Sequence, residues 1–285
     1  MSVRITPLFS GTFKLDGGAM FGIVPRRMWA KLNPPDENNL CTWAVRTMLV
    51  QTEDGRNILI DTGMGEKQDE KFRSHFLPEN SGALLESLAQ TGLKPSDITD
   101  VFLTHLHFDH CGGALMRNPE TGAITPTFPS AKYWTNEVHY NWAMHPNERE
   151  RASFLKENFV PLQEMGLLHF VPVVHNYQFA PGFQVQFYYG HTEALMVAVL
   201  DSQYGTVVYC ADALPSQWHI GMPYVMAYDI RPLVTLEEKA VLLQNAVDHG
   251  HILFLEHDPV AEFVTVKKDE KGRIMADRVG MLAGR

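Results

Sequence analysis

Apolar and polar positions along the chain fall into short blocks divided by turn residues, and the blocks switch between strand-like and helix-like periods. "WAVRTMLVQT" (Trp43 to Thr52) and "RNILIDTG" (Arg56 to Gly63) are rich in β-formers and flank Glu53-Asp54-Gly55, a turn that predicts a hairpin. "GALLESLAQTG" (Gly82 to Gly92) is apolar at 84, 85, 88 and 89, one face of a helix, and ends on a glycine suited to the position just past one. After Pro95, "ITDVFLT" returns to strand character. The segment Thr135 to Gly166 predicts mostly helix, punctuated by Pro146 and Pro161. "FQVQFYYG" (Phe183 to Gly190), "LMVAVLDS" (Leu195 to Ser202) and "GTVVYCAD" (Gly205 to Asp212) then read as strands. "TLEEKAVLLQNAVDHG" predicts a helix that opens on a Thr235/Glu238 capping box and closes on Gly250. "HILFLEHD" predicts a short buried strand and "EFVTVKKDEKGRIMADR" a final hairpin.

This alternation predicts an α/β fold. No repeat, low-complexity tract or linker-like segment divides the chain, so the reading is a single domain over residues 1–285 with a helical excursion at about 135–166. A hydrophobic content of 45% with 20% charged residues is that of a soluble globular protein able to bury a sizeable core. The formal charge of −9, with no basic run beyond pairs such as Arg26-Arg27, excludes an electrostatic footprint for nucleic acid. The N-terminal stretch has no continuous apolar h-region and no apolar run is long enough to cross a membrane. Three cysteines, Cys41, Cys111 and Cys210, cannot make a disulfide framework and point to a reducing, cytoplasmic compartment.

Chemistry concentrates in "VFLTHLHFDHCGG" (Val101 to Gly113), where four metal-ligand types follow a strand within six positions. His105 and His107, two apart in extended chain, project to one side and can bind one ion together. Asp109 and His110 lie where the chain turns and can serve a second ion. The small residues Cys111, Gly112, Gly113 and Ala114 then permit close packing. Single histidines are usually surface or satisfied core residues, and this chain has 13. What separates this cluster from that reading is that further ligand types follow apolar strands in the same way. Asp61 follows "NILI", His191 follows "FQVQFYYG", Asp212 follows "TVVYCA" and His257 follows "HILFLE". In α/β folds such strand ends converge.

The H-x-H-x-D-H motif with a later His, Asp and His resembles the metallo-β-lactamase superfamily, over nearly the whole chain from "LIDTG" through "EHD". The resemblance implies an αβ/βα four-layer sandwich, two mixed β-sheets flanked by helices. It implies a first metal site of His105, His107 and His191, a second of Asp109, His110 and His257, and Asp212 as the bridging carboxylate. Asp61 matches the supporting aspartate that orients a ligand histidine. Imidazoles and carboxylates suit borderline divalent ions, zinc first and manganese or iron as alternatives. Two such ions roughly 3.5–4 Å apart would hold a bridging hydroxide as the nucleophile, with Asp109 placed to handle the proton. Cys111 and Cys210 neighbour ligands, but with Asp212 in the expected place they read as packing residues.

Within the superfamily, flavodiiron proteins have glutamate where this chain has His107 and need a further domain. Nucleic-acid-processing branches need a basic face, glyoxalase II a longer C-terminal region, and the β-lactamase branch is secreted. The quorum-quenching N-acyl homoserine lactonase-like branch remains, supported by "KLDGGAMFGIVPRRMW", "RPLVTLEEK" and "LEHDP". Departures are "GHTEALM" in place of "GHTPGH", and Pro215 where well-known lactonases have a tyrosine; Tyr224, Tyr228 or His219 is then the substitute donor. Met20, Phe21, Trp29, Trp142, Trp218 and Met222 suit core packing singly, an apolar pocket wall as a set, or a homodimer interface. The expected activity is a dinuclear metal-dependent hydrolase opening a lactone or other small apolar ester. The alternatives are a phosphotriester or phosphodiester hydrolase, a mononuclear iron dioxygenase, and a non-catalytic metal-binding protein.

Overall fold

The computed structural model describes residues 2–118 and 120–282. Met1 and residues 283–285, which the single-domain reading includes, lie outside the described residues, as does Pro119. The first half supplies strands β1 (Arg4–Asp16), β2 (Leu40–Gln51), β3 (Asn57–Ile60), β4 (Asp100–Phe102), β5 (Leu115–Arg117), β6 (Ile124–Pro126), β7 (Lys132–Thr135) and β8 (Leu168–Phe170). The second half supplies β9 (Tyr177–Ala180), β10 (Phe183–Tyr188), β11 (Leu195–Ser202), β12 (Gly205–Tyr209), β13 (Ile252–Phe254), β14 (Phe263–Lys268) and β15 (Ile274–Gly280). Helices are α1 (Gly17–Phe21), α2 (Arg26–Trp29), α3 (Glu70–Phe76), α4 (Ala83–Gln90), α5 (Phe108–Cys111), α6 (Glu137–Met144), α7 (Val160–Glu164) and α8 (Pro232–His249).

One sheet runs β1-β2-β3-β4-β7-β8 and the other β15-β14-β13-β12-β11-β10-β9, both mixed, with β5-β6 a separate ribbon. The sheets bury their inner faces against each other: Met48, Val50, Ile58, Ile60 and Phe102 of the first join Phe183, Val185, Val197 and Leu253 of the second in one core. On the outer side of the first sheet, α4, α6 and α7 contribute Leu84, Leu88, Ala143 and Leu162 to another core. Helix α8 lays Leu242, Leu243 and Ala246 on the second sheet. The result is the mixed α/β sandwich that the resemblance implies.

The predicted β2-β3 and β14-β15 hairpins form, as do β10, β11, β12 and β13 within the blocks read as strands. Strand β1 is an element that the apolar pattern did not announce. It contains Pro7 and Gly11, which an edge strand tolerates, and its pairing with β2 shifts register between Phe9 and Thr12, where Gly11 takes φ 116°. The excursion at 135–166 is helical only in α6, a short 3₁₀ turn (Lys156–Asn158) and α7; the charged "NERER" stretch between them is turn.

The capping box is a correction. Helix α8 starts earlier, with Pro232 in its first turn and Arg231 as the cap residue, so Thr235 lies inside it. The Glu238 carboxylate instead accepts the backbone N–H groups of Tyr189 and Gly190, at 2.7 and 2.9 Å. A residue read as a local helix signal thus holds the chain just before His191.

Candidate metal centre

Strands β3 and β4 are parallel neighbours, as are β12 and β13, so the segments leaving their C-terminal ends meet at one edge of the sandwich. There His105, His107, His191 and Asp212 form one buried group, and Asp109, His110 and His257 a second, with ligand-type atoms within 4.8 Å of one another in each. His107 caps α5, so Asp109 and His110 ride on the first turn of that helix, with the His110 ring centroid 3.9 Å from that of His105. The glycines after them are required by the approach of the 61–65 loop. A Cβ on Gly112 would stand 2.0 Å from the Met64 carbonyl oxygen, and one on Gly113 2.2 Å from that of Thr62.

Hydrogen bonds on the far side of each ring settle which nitrogen faces inward. His257 Nδ1 lies 2.9 Å from the Ala44 carbonyl oxygen, an acceptor only, so it carries the proton and Nε2 keeps its lone pair. His110 Nδ1 meets Asp61 Oδ2 at 3.1 Å and His191 Nδ1 meets Asp229 Oδ1 at 2.9 Å, with the same consequence. The Thr104 hydroxyl donates to Asp61 Oδ2 at 2.7 Å, which leaves its oxygen to accept from His105 Nδ1 at 3.1 Å. His107 is turned the other way: its Nε2 faces Glu150 Oε1 at 3.6 Å and its Nδ1 faces inward.

The inward nitrogens therefore point lone pairs at one another. His107 Nδ1 is 3.0 Å from His105 Nε2 and 3.2 Å from His191 Nε2, and His257 Nε2 is 3.2 Å from His110 Nε2. Asp212 stands between the groups, Oδ2 at 3.1 Å from His191 Nε2 and Oδ1 at 3.1 Å from His257 Nε2, with Oδ1 buried and lacking a hydrogen-bond partner. Asp109 Oδ2 is 3.7 Å from both His110 Nε2 and His257 Nε2. Opposed lone pairs and an unpartnered buried carboxylate call for positive charge among them. Burial opposes charging His191 and His257, yet Asp212 outweighs it and raises them to about 10 and about 9. This donor set fits two divalent cations.

Several supporting residues escaped the sequence reading. Asp61 was expected, and it also accepts the Thr104 backbone N–H at 2.8 Å while holding φ 58°, a strained backbone at a functional position. Asp229, Glu150, Glu256 and His139 were not. His139 accepts the N–H of Leu106 at 2.9 Å and meets the Glu193 carbonyl oxygen at 2.6 Å, locking the middle of the motif; burial lowers it to about 3, so it stays neutral. Glu256 Oε2 is 3.3 Å from His110 Nδ1, and burial raises its carboxyl to about 7. Its position next to His257 in "LEHD" was the one available signal.

Above the ligands opens a cleft of about 290 Å³, with Leu15, Met20, Phe76, Phe108 and Met226 as apolar wall and Tyr228 and Arg149 also lining it. Of the aromatic and methionine set, Met20 reaches the cleft. Phe21 and Trp29 stack in the adjoining core, Trp142 lies under the Arg231 guanidinium, and Met222 is exposed. Tyr228 has a hydroxyl without a hydrogen-bond partner among the described residues, and burial and then the Asp16 and Asp109 carboxylates raise its pKa, so it stays a phenol. His219 is fully enclosed, its ring stacked on Phe21, with Nδ1 at 2.7 Å from Ser216 Oγ and Nε2 at 2.9 Å from the Met20 carbonyl oxygen. Tyr224 packs edge-on against Phe21. Cys111 and Cys210 are buried free thiols outside both ligand groups.

Residues 42–224 match the profile of the metallo-beta-lactamase superfamily. The chain belongs to that superfamily. An N-acyl homoserine lactonase of Bacillus thuringiensis subsp. kurstaki is 28% identical over 193 residues, 64% of this chain and 67% of the relative. A probable metallo-hydrolase of Mycobacterium tuberculosis is 25% identical over 245 residues, 74% of either chain. Among solved structures, a probable metal-dependent hydrolase from Staphylococcus aureus superposes with a TM-score of 0.86 at 26% identity, covering 98% of this chain and 96% of its own. A dizinc quorum-quenching lactonase in complex with a homoserine product shares the fold, with a TM-score of 0.78 at 21% identity over 96% of this chain and 94% of its own.

Proposed function

We propose that this superfamily member is a dinuclear metal-dependent hydrolase that opens a lactone or another small apolar ester. The observation that carries the reading is the set of five inward-facing imidazole nitrogens around Asp212, beneath an apolar cleft that holds a free phenol. His105, His107 and His191 would hold one cation and Asp109, His110 and His257 the other, with Asp212 shared; zinc suits these donors first, manganese or iron next. When bound, such a pair supplies activated water at neutral pH and draws charge from the substrate carbonyl.

The rest is the work of the chain itself. The Leu15, Met20, Phe76, Phe108 and Met226 wall takes the acyl or ring portion and excludes water. The Tyr228 hydroxyl donates to the carbonyl oxygen as negative charge grows there. Asp109 receives the proton of the attacking water on a carboxylate oxygen and returns it to the departing alkoxide. Of the donors read from the sequence, Tyr228 has its hydroxyl free in the cleft, while both His219 nitrogens are engaged, so we assign the role to Tyr228 and a packing role to His219.

The partner is thus a small molecule. No helix of the described residues is long and apolar enough to cross a membrane. Three free buried cysteines support the cytoplasm as the compartment. The test is a panel of lactones, aryl esters and phosphotriesters on metal-replete protein, with bound metal measured and His107→Ala as the blank. Turnover of lactones above the other classes, with about two ions per chain, is expected. Fewer than one ion per chain after reconstitution would overturn the dinuclear reading, and preferential turnover of phosphotriesters would overturn the substrate class.

A further inference from the structure

Tyr228 sits on a stretch without helix or strand, yet its flanks are tied down from across the cleft. Arg149, in the turn between α6 and α7, places Nη2 at 2.5 Å from the Ala227 carbonyl oxygen and 3.4 Å from that of Asp229. These are the carbonyl oxygens of the two residues that flank Tyr228, the first in the peptide that leads into Tyr228 and the second one peptide beyond the bond that leaves it. Two carbonyl dipoles converging on one point repel each other, and a cation placed between them removes that repulsion while fixing both peptides. From the other side, the Ala227 N–H donates to the Ala19 carbonyl at 2.8 Å. The next residue in the same turn, Glu150, faces His107, and Asp229 holds His191. One turn therefore touches the supports of the ligand set and of Tyr228 together.

We infer that Arg149 is a positioning residue for Tyr228, setting where the phenol stands over the ligand cluster by gripping the carbonyls of the residues on either side of it. The inference rests on the assignment of Tyr228 as the donor in the proposed reaction. An ammonium is a point charge on a flexible stem, whereas a planar guanidinium presents its donors at fixed angles, so lysine reproduces the grip only in part.

The experiment compares Arg149→Met, Arg149→Lys, Tyr228→Phe and the Arg149→Met/Tyr228→Phe double variant, all metal-loaded, on the fastest lactone of the panel. Arg149→Met is expected to lower kcat about three- to tenfold, the loss of hydrogen bonds that act through one donor, with bound metal unchanged. Arg149→Lys should recover part of the loss, and in the Tyr228→Phe background Arg149→Met should add little. An equal loss from Arg149→Met in both backgrounds, or no loss in the presence of Tyr228, overturns the inference. If Arg149→Met does not fold, Arg149→Lys in the same two backgrounds decides by the same criterion. A Tyr228→Phe variant at full rate would instead refute the donor assignment and the inference with it. A slow Tyr228→Phe beside a full-rate Arg149→Met would refute the inference alone.

Discussion

Substituting Glu150 by glutamine tests whether a residue with no obvious signal in the sequence holds the metal centre together. The carboxylate is 2% exposed and works only as an acceptor. Its Oε1 accepts the Thr192 hydroxyl at 2.5 Å and faces His107 Nε2, while Oε2 accepts Trp142 Nε1 at 2.8 Å and Asn147 Nδ2 at 2.5 Å. Burial alone would raise its pKa; the neighbouring His107 and the bonds from Thr192 and Trp142 hold it instead at about 2, so it is ionised whenever the protein is folded near neutrality. An amide of the same shape replaces one oxygen by NH₂: turned toward Trp142 and Asn147 it opposes two buried donors, and turned the other way it opposes the His107 N–H while the Thr192 hydroxyl can rotate to accept. With one donor orphaned in the cheaper orientation, Glu150→Gln costs roughly 1–3 kcal/mol, a sizeable fraction of a typical stability. With its outer partner lost, His107 no longer has a fixed tautomer, and metal affinity is expected to fall about 10–100-fold. Chemical denaturation of the metal-free protein gives the first quantity and zinc competition against a chelator the second. A destabilisation under about 1 kcal/mol together with wild-type affinity would refute the reasoning.

Stripping the metal with a chelator leaves only protons on His191 and His257 to balance the buried Asp212, with the His110 and His257 nitrogens still 3.2 Å apart, so the unfolding midpoint should fall by on the order of 10 °C and return with zinc; an unchanged midpoint contradicts this. Lys239, 2% exposed, donates to the carbonyls of Gly221, Met222 and Tyr224, and burial lowers its pKa from 10.5 to about 8. Between those values the unfolded chain binds the extra proton, so the folded state gains as pH rises through the window, and the penalty is fully present below it. Wild type should therefore gain about 2.5 kcal/mol on Lys239→Met between pH 7 and pH 10, read by denaturant titration at both; a difference that does not move with pH disproves the effect. Burial raises the thiol of Cys41 to about 11, that of Cys111 to about 12 and that of Cys210 further still, so none should react with a thiol reagent before unfolding, and rapid labelling of the native protein would contradict their packing.

The ligand set was legible because each member stands directly after an apolar block: Asp61 after "NILI", the His105 to His110 run after "VFLT", and His191, Asp212 and His257 after their own strands. Strand ends are local events, and strands that run in the same direction in the two mixed sheets bring them to one edge. The helix that became α8 was legible for the same reason, through its apolar period and its closing glycine. Its start was not, because Glu238 found better partners in Tyr189 and Gly190 than in its own helix. Strand β1 was hidden by Pro7 and Gly11, which an edge position accepts and a central one would not.

What the amino-acid order determined by itself was therefore the kind of site and its donors. Which nitrogen of each histidine faces the centre, which carboxylates brace the rings, and which of three donors stands free in the cleft were decided by the tertiary structure. Asp229 reaches His191 across 38 residues and Thr192 reaches Glu150 across 42, over distances at which no periodicity carries information. A lone acidic residue in a polar turn looks the same in sequence whether it faces water or a buried imidazole. Only the packing of turn against strand removes the water and makes that carboxylate necessary.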